Sequence, residues 1–262
     1  MENYLTLKTD FKGQIATLWL ARPEVHNALN EVMIREITSF FLEIEHIKEI
    51  RIVVIRGLGN SFCSGADLAW MKKSFTLDKN ENLRESKELS DMFGHIFNCP
   101  KVIISAIHGN VFGGGNGIIA ASDLAYCVSN SRFSLSETRI GMAAASITPY
   151  LLQKINASSL KELIFTARIF NGDEAVKLLL VNQAFNSVEE MDAYIEMQLH
   201  SILLNGTQAI VESKKLINRL TEIGVSEKEL DIPKILADIR VSEEAQEGFT
   251  AFLEKRIPRW QN

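Results

Sequence analysis

The chain has 262 residues, 46% apolar and 23% charged, with a formal net charge of -5 and a pI near 5.7. That length and apolar share suffice for a sizeable buried core, and the acidic balance gives no sign of the basic surface that a nucleic-acid partner would require. No apolar run is long enough to span a bilayer, and no charged leader with an apolar stretch precedes Asp10, so cytoplasmic residence without a membrane partner is expected.

In chain order, Ile15 to Leu20 alternates as a strand, Glu31 to Ile47 has helical spacing, Arg51 to Ile55 reads as a strand and Glu81 to Phe97 is again helical. Lys101 to Ile107 and Leu124 to Val128 add strands, with a short helix at Gly114 between them. From about Ile147 the pattern turns mostly helical, with helices predicted at Ser159 to Arg168, Val188 to Leu204, Thr207 to Leu220 and Ser242 to Arg256. Asn171-Gly172-Asp173 reads as a turn followed by an N-cap, so a helix is predicted from near Glu174. This is an α/β pattern with a helical tail and no Pro/Gly/Ser-rich linker. Periodicity alone would equally allow a doubly wound sheet.

Cys63, Cys99 and Cys127 lack CxxC spacing and fit free thiols in a reducing compartment. The five histidines form no metal pattern such as HExxH. No metal and no separate cofactor are expected.

The most informative stretch is Gly113-Gly114-Gly115-Asn116-Gly117, which follows the apolar run Val102 to Ile107 and opens the small-residue run Ile118 to Ala121. Glycines at a strand-to-helix junction let a bound group come close to the main chain. Free amides at the helix start then face that group, and the helix dipole favours negative charge there. The pattern suits an anion site or an oxyanion hole. Neither Gly57-Leu58-Gly59 nor Gly113 to Gly115 has the third glycine of a dinucleotide fingerprint, and no Gly-Lys-Ser/Thr closes a phosphate loop. Gly59-Asn60-Ser61-Phe62-Cys63 misses the last glycine of a hydrolase elbow. A second glycine turn, Ser61-Phe62-Cys63-Ser64-Gly65-Ala66-Asp67-Leu68, closes the run Arg51 to Arg56. A third motif, Arg132-Phe133-Ser134-Leu135-Ser136-Glu137-Thr138-Arg139-Ile140-Gly141, holds one carboxylate among apolar neighbours.

These three motifs, in this order, resemble the enoyl-CoA hydratase/isomerase (crotonase) superfamily, and the resemblance runs from Ala21-Arg22-Pro23-Glu24-Val25-His26-Asn27-Ala28-Leu29 to Ala251-Phe252-Leu253-Glu254-Lys255-Arg256. It implies a spiral of repeated ββα turns over residues 1–200, and a helical region over residues 201–262 that holds a homotrimer or a pair of trimers. The expected partner is an acyl-CoA, with coenzyme A entering as part of the substrate. The resemblance assigns the oxyanion hole to the amides of Ala66 and Gly114 and the proton transfer to Glu137. It places Arg22, Val25 and Ala28, with Ser64, Gly65, Ala66, Asp67 and Leu68, along the CoA groove. Phe252 and Lys255 would meet the CoA nucleotide of an adjacent subunit.

A second glutamate of the typical hydratase is replaced by Gly117. One carboxylate must then orient water and move the C2 proton alone, or do the simpler work of an isomerase, shifting a proton between C2 and C4. The string Leu135 to Tyr150 looks like bacterial methylglutaconyl-CoA hydratases and the related polyketide-cassette dehydratases. Hydration or dehydration of a branched 2-enoyl-CoA is therefore favoured over isomerisation. A non-catalytic acyl-CoA binder is the third reading. A distal carboxylate on the acyl group would call for a cation, for which Arg139, Lys72 and Lys73 are the candidates. The segment Asn80 to Phe97 is a candidate mobile helix over the acyl pocket.

Overall fold

The computed structural model describes residues 4–74, 76–221 and 231–261. The chain divides into two compact units, residues 1–194 and 195–262.

The first unit is built on a six-stranded sheet. Strands β1 (Leu7–Lys12), β2 (Ile15–Leu20), β3 (Ile52–Gly57), β5 (Val102–Ile107), β7 (Leu124–Val128) and β10 (Gln183–Phe185) lie side by side in that order. β1 and β2 form an antiparallel pair, and every later pairing is parallel. Position in the sheet explains residue pattern. β2 alternates partly exposed and buried residues, as its sequence predicts. All six residues of β5 are buried, as are all but Arg56 in β3, the continuous apolar run expected of parallel strands covered on both faces.

A second, four-stranded sheet runs β4 (Ser61–Cys63), β6 (Asn110–Phe112), β8 (Arg132–Ser134) and β9 (Phe170–Asn171). β3 feeds β4, β5 feeds β6 and β7 feeds β8, and each pair is followed by helix: α2 (Leu68–Ser74) and α3 (Lys79–Asn98), then α4 (Gly114–Ala121), then α5 (Thr148–Leu151) and α6 (Ala157–Thr166). The chain thus repeats strand, short strand, helix and advances one strand in each sheet per turn. This is the spiral of ββα turns that the family resemblance implied, and it excludes the simple doubly wound sheet.

Helix α1 (Glu31–Ile44) is capped by Asn30, whose side chain accepts from the Met33 amide, and buries Met33, Ile34, Ile37, Phe40, Phe41 and Ile44 on one face. α3 opens on a capping box between Asp78 and Glu81 and buries Met92, Phe93 and Ile96. It is a longer helix than Glu81 to Phe97, since the cap lies three residues upstream.

Other boundaries also differ from the sequence expectation. α6 is capped by Asn156 and ends before Ala167, which takes a left-handed φ of 48°, rather than running from Ser159 to Arg168. α7 (Gly172–Lys177) is capped by Asn171, not by Asp173, so the helix begins two residues before Glu174. α1 stops at Ile44, short of Ile47.

Helix α8 (Val188–Leu203) carries the unit boundary. Beyond it the second unit contains α9 (Thr207–Thr221), α10 (Ile232–Arg240) and α11 (Glu243–Glu254). Glu244 accepts from the amides of Gln208 and Ala209, tying α11 to the start of α9. Arg256 pairs with Glu247, and Trp260 Nε1 donates to the Leu204 carbonyl, closing the C-terminal segment back on the same unit. α10 escaped the sequence reading.

Candidate active site

The two glycine turns meet. Gly65 has φ 96° and Gly113 has φ 47°, conformations that L side chains rarely adopt. A β-carbon placed on Gly113 would lie 3.7 Å from Gly65 Cα, and one placed on Gly65 would lie 3.2 Å from the Phe112 carbonyl oxygen. Dihedral therefore demands glycine at both positions, and at Gly65 the close Phe112 carbonyl demands it again.

Flanking amides are committed. Leu29 N–H donates to Gly65 O at 2.7 Å, Asp67 N–H to Leu29 O at 2.8 Å and Gly113 N–H to Ser134 O at 3.2 Å. The amides of Ala66 and of Gly114, which opens α4, have no backbone acceptor among the described residues. Ala66 is exposed and Gly114 partly so.

Glu137 joins them. It opens a single 3-10 turn, Glu137–Ile140, that ends at Gly141 with φ 75° and is tied to α6 by the Thr138 hydroxyl, which donates to Ile164 O at 2.8 Å. A β-carbon on Gly113 would lie 3.4 Å from Glu137 Oε1. The other oxygen, Oε2, is buried and has no hydrogen-bond partner. Burial pushes the carboxyl above its ordinary value of 4.5, against a smaller opposing pull from its own amide. A buried carboxylate oxygen without a partner is costly, and such groups cluster at sites where a proton is moved.

Asn116 bolts this assembly together. It is fully buried, and its Nδ2 donates to Ser134 O at 2.9 Å, joining the first turn of α4 to the strand that leads into Glu137.

The segment Arg22 to Ala28 packs against the Gly65 turn. Arg22 Nη2 meets Asp67 Oδ2 at 2.7 Å and Nη1 donates to Ala28 O at 2.7 Å. Asp67 Oδ1 accepts from the amides of Ala69 and Trp70, capping α2. Burial raises the Asp67 carboxyl, but Arg22 and these amides outweigh it and hold the group below 3.8. Ser64 Oγ donates to Val25 O at 3.3 Å, and Ala28 is buried. Val25 and Leu68 are exposed, at 37% and 78%.

Lys73 is tied to Glu31 and to Glu85, whereas Lys72 and Arg139 lie exposed. In the second unit Phe252 is 82% exposed, and Lys255 caps α11 with a left-handed φ of 55°.

Two groups of residues near the site were not singled out by sequence. Asn27 is fully buried with φ 55°; it accepts from the Arg22 amide and donates to Leu58 O and Ser61 O. An asparagine soon after Arg-Pro was the only signal, since asparagine tolerates left-handed backbone. Phe93 and Ile147 crowd Gly117: a β-carbon there would lie 2.3 Å from Ile147 Cγ2 and 2.7 Å from Phe93 Cε1 and Cζ. Helical period marks Phe93 as core but says nothing of what it covers.

Comparison with known proteins agrees with this architecture. The enoyl-CoA hydratase/isomerase family model matches residues 10–262. The chain is 29% identical to a short-chain-enoyl-CoA hydratase of Clostridium acetobutylicum over 94% of its length and 93% of that protein. It is 35% identical to the mitochondrial delta(3,5)-delta(2,4)-dienoyl-CoA isomerase of Homo sapiens over 70% of its length and 59% of that protein. The solved structure of an enoyl-CoA hydratase from Shewanella pealeana superposes with a TM-score of 0.93 at 32% identity, covering 97% of this chain and 96% of that one.

Proposed function

Because the chain belongs to the enoyl-CoA hydratase/isomerase family, we propose that it adds or removes water across the 2,3 double bond of an acyl-CoA, with Glu137 as its one acid-base group. The observation that carries this reading is the meeting of the Gly65 and Gly113 turns beside a carboxylate whose Oε2 is buried and unpartnered.

In this mechanism the thioester oxygen accepts from the Ala66 and Gly114 amides, and the dipole of α4 adds to their pull. Ionised Glu137 holds a water against C3 and takes its proton as the C3–O bond forms. The electron pair of the double bond moves to the thioester oxygen, giving an enolate that the two amides stabilise. The same carboxyl then returns the proton to C2. Losing one such amide typically costs about 3 kcal/mol of transition-state stabilisation. Arg22 and Asp67 act here by fixing the turn that presents Ala66, since their side chains are engaged with each other.

A branched acyl group such as 3-methylglutaconyl is the favoured substrate. Exposed Arg139, two residues from Glu137, is the cation we assign to its distal carboxylate. Arg139→Ala should raise the KM for 3-methylglutaconyl-CoA selectively; equal loss with crotonyl-CoA would remove the assignment. Phe252 and Lys255 are assigned to the CoA nucleotide of an adjoining subunit in a trimer or a pair of trimers, and light scattering of the purified protein checks that assembly.

The apolar surroundings of Gly117 favour a second reading. With the apolar Phe93 and Ile147 crowding that position, holding water falls to Glu137 alone, and Glu137 could instead take a proton from C2 of a 3-enoyl-CoA and return it at C4. A side-by-side assay on 3-methylglutaconyl-CoA, crotonyl-CoA and 3-hexenoyl-CoA separates the two. Hydration is the expected result; double-bond migration without hydration would establish the isomerase.

A further inference from the structure

Gly117 lies three residues beyond Gly114 on α4, roughly 4.5 Å along the axis and on the same side of the helix. An acyl chain whose thioester oxygen rests on the Gly114 amide, and which runs along the helix, comes abreast of Gly117 within its first few carbons. That volume is taken. The ring of Phe93 and Cγ2 of Ile147 both stand within 2.7 Å of where a β-carbon on Gly117 would be. Phe93 is 0% and Ile147 3% exposed, so the space is sealed as well as occupied. Phe93 Cζ also lies 3.8 Å from a β-carbon placed on Gly114.

The plug is braced from two sides. The rings of Phe93 and Tyr150 lie with centroids 6.1 Å apart, and Ser90 Oγ donates to Ser146 Oγ at 3.1 Å. That hydroxyl pair joins the helical turn before Phe93 to the residue before Ile147.

We propose that Phe93, backed by Ile147, is the specificity-determining stop of the acyl pocket, ending it at short acyl chains and keeping water off the Gly117 side of the reacting carbons. The inference rests on the acyl-thioester reading given above. It also accounts for the missing second glutamate in physical terms: a carboxylate at position 117 would be driven into an aromatic ring and an isoleucine methyl, without room or a polar partner.

Calorimetric affinities for butyryl-CoA and octanoyl-CoA, two saturated thioesters with no double bond to hydrate, test the stop without requiring net turnover. Wild-type protein should hold butyryl-CoA the more tightly. In Phe93→Ala the octanoyl-to-butyryl affinity ratio should rise by about tenfold or more, as further methylenes become buried, and Ile147→Ala should shift it in the same direction by less. Phe93→Leu, which keeps more of the core filled, carries the test if the alanine variant does not fold. Wild-type affinity that already rises from butyryl to octanoyl overturns the stop with no variant needed, and so does an unchanged ratio in the folded variants. Failure of wild type to bind either thioester removes the acyl-CoA reading and the stop together. Binding without turnover of any enoyl-CoA removes only the catalytic reading, and the ratio still decides the stop.

Discussion

Glu137, the acid-base group of the proposed mechanism, is also a local weakness of the fold. Its carboxyl is raised in the folded protein, so the folded state holds its proton more tightly than the unfolded one. Stability therefore falls as pH rises from about the ordinary value of 4.5 through the raised value. Glu137→Gln removes the charge and should melt higher than wild type at pH 8, with the difference vanishing near pH 4. The same substitution should cost roughly 100-fold or more in turnover. Asn27 acts in the opposite sense. Asn27→Ala leaves the Arg22 amide and the Leu58 and Ser61 carbonyls without their partner and should destabilise by about 3 kcal/mol, read by denaturant unfolding. At this scale the sequence pointed to Glu137 through a motif of known kind. It was silent on Phe93, whose importance lies in a neighbour 24 positions away that only the folded chain brings under it.

The turn that carries Ala66 is held by a part-buried ion pair between elements. Arg22→Ala would leave Asp67, itself 7% exposed, without its cation, and should destabilise by about 1–3 kcal/mol, a part-buried pair lying between the exposed and fully buried cases. Asp67 is held below 3.8, so its contribution is complete at neutral pH and is lost only as pH falls through the depressed value. The destabilisation by Arg22→Ala should accordingly shrink in strong acid, which thermal melts over a pH series would show. Long elements were legible because α1 and β5 bury enough consecutive or periodic apolar residues to declare their type. Strands β4, β6 and β8, three residues each, are too short to show a period, and they exist because the preceding long strand delivers them to a shared edge. The sequence expectation for the starts of α6 and α7 differs from the structure because several adjacent Asn, Asp and Ser residues could each cap, and Asn156 and Asn171 do so by accepting from the Ser159 and Glu174 amides.

Over the whole molecule, a spiral that adds one strand to each sheet per turn brings the ends of β4, β6 and β8 together, and the three motifs follow those ends in succession. This is why motifs about fifty and twenty residues apart in sequence meet at one site. Among the described residues no helix is long and apolar enough to cross a membrane. Cys63, Cys99 and Cys127 are all buried, and burial pushes the Cys63 and Cys127 thiols up to about 12. Native protein should resist iodoacetamide at both positions and become labelled only on unfolding, which mass spectrometry would read.

The most direct test of the central claim is deuterium exchange at C2 of butyryl-CoA in heavy water, with wild-type protein and Glu137→Gln side by side. Exchange by the wild type that disappears in the variant is the result expected if Glu137 moves the C2 proton of a thioester whose enolate rests on the Ala66 and Gly114 amides. Equal exchange by both proteins, or none by the wild type despite bound thioester, would contradict it.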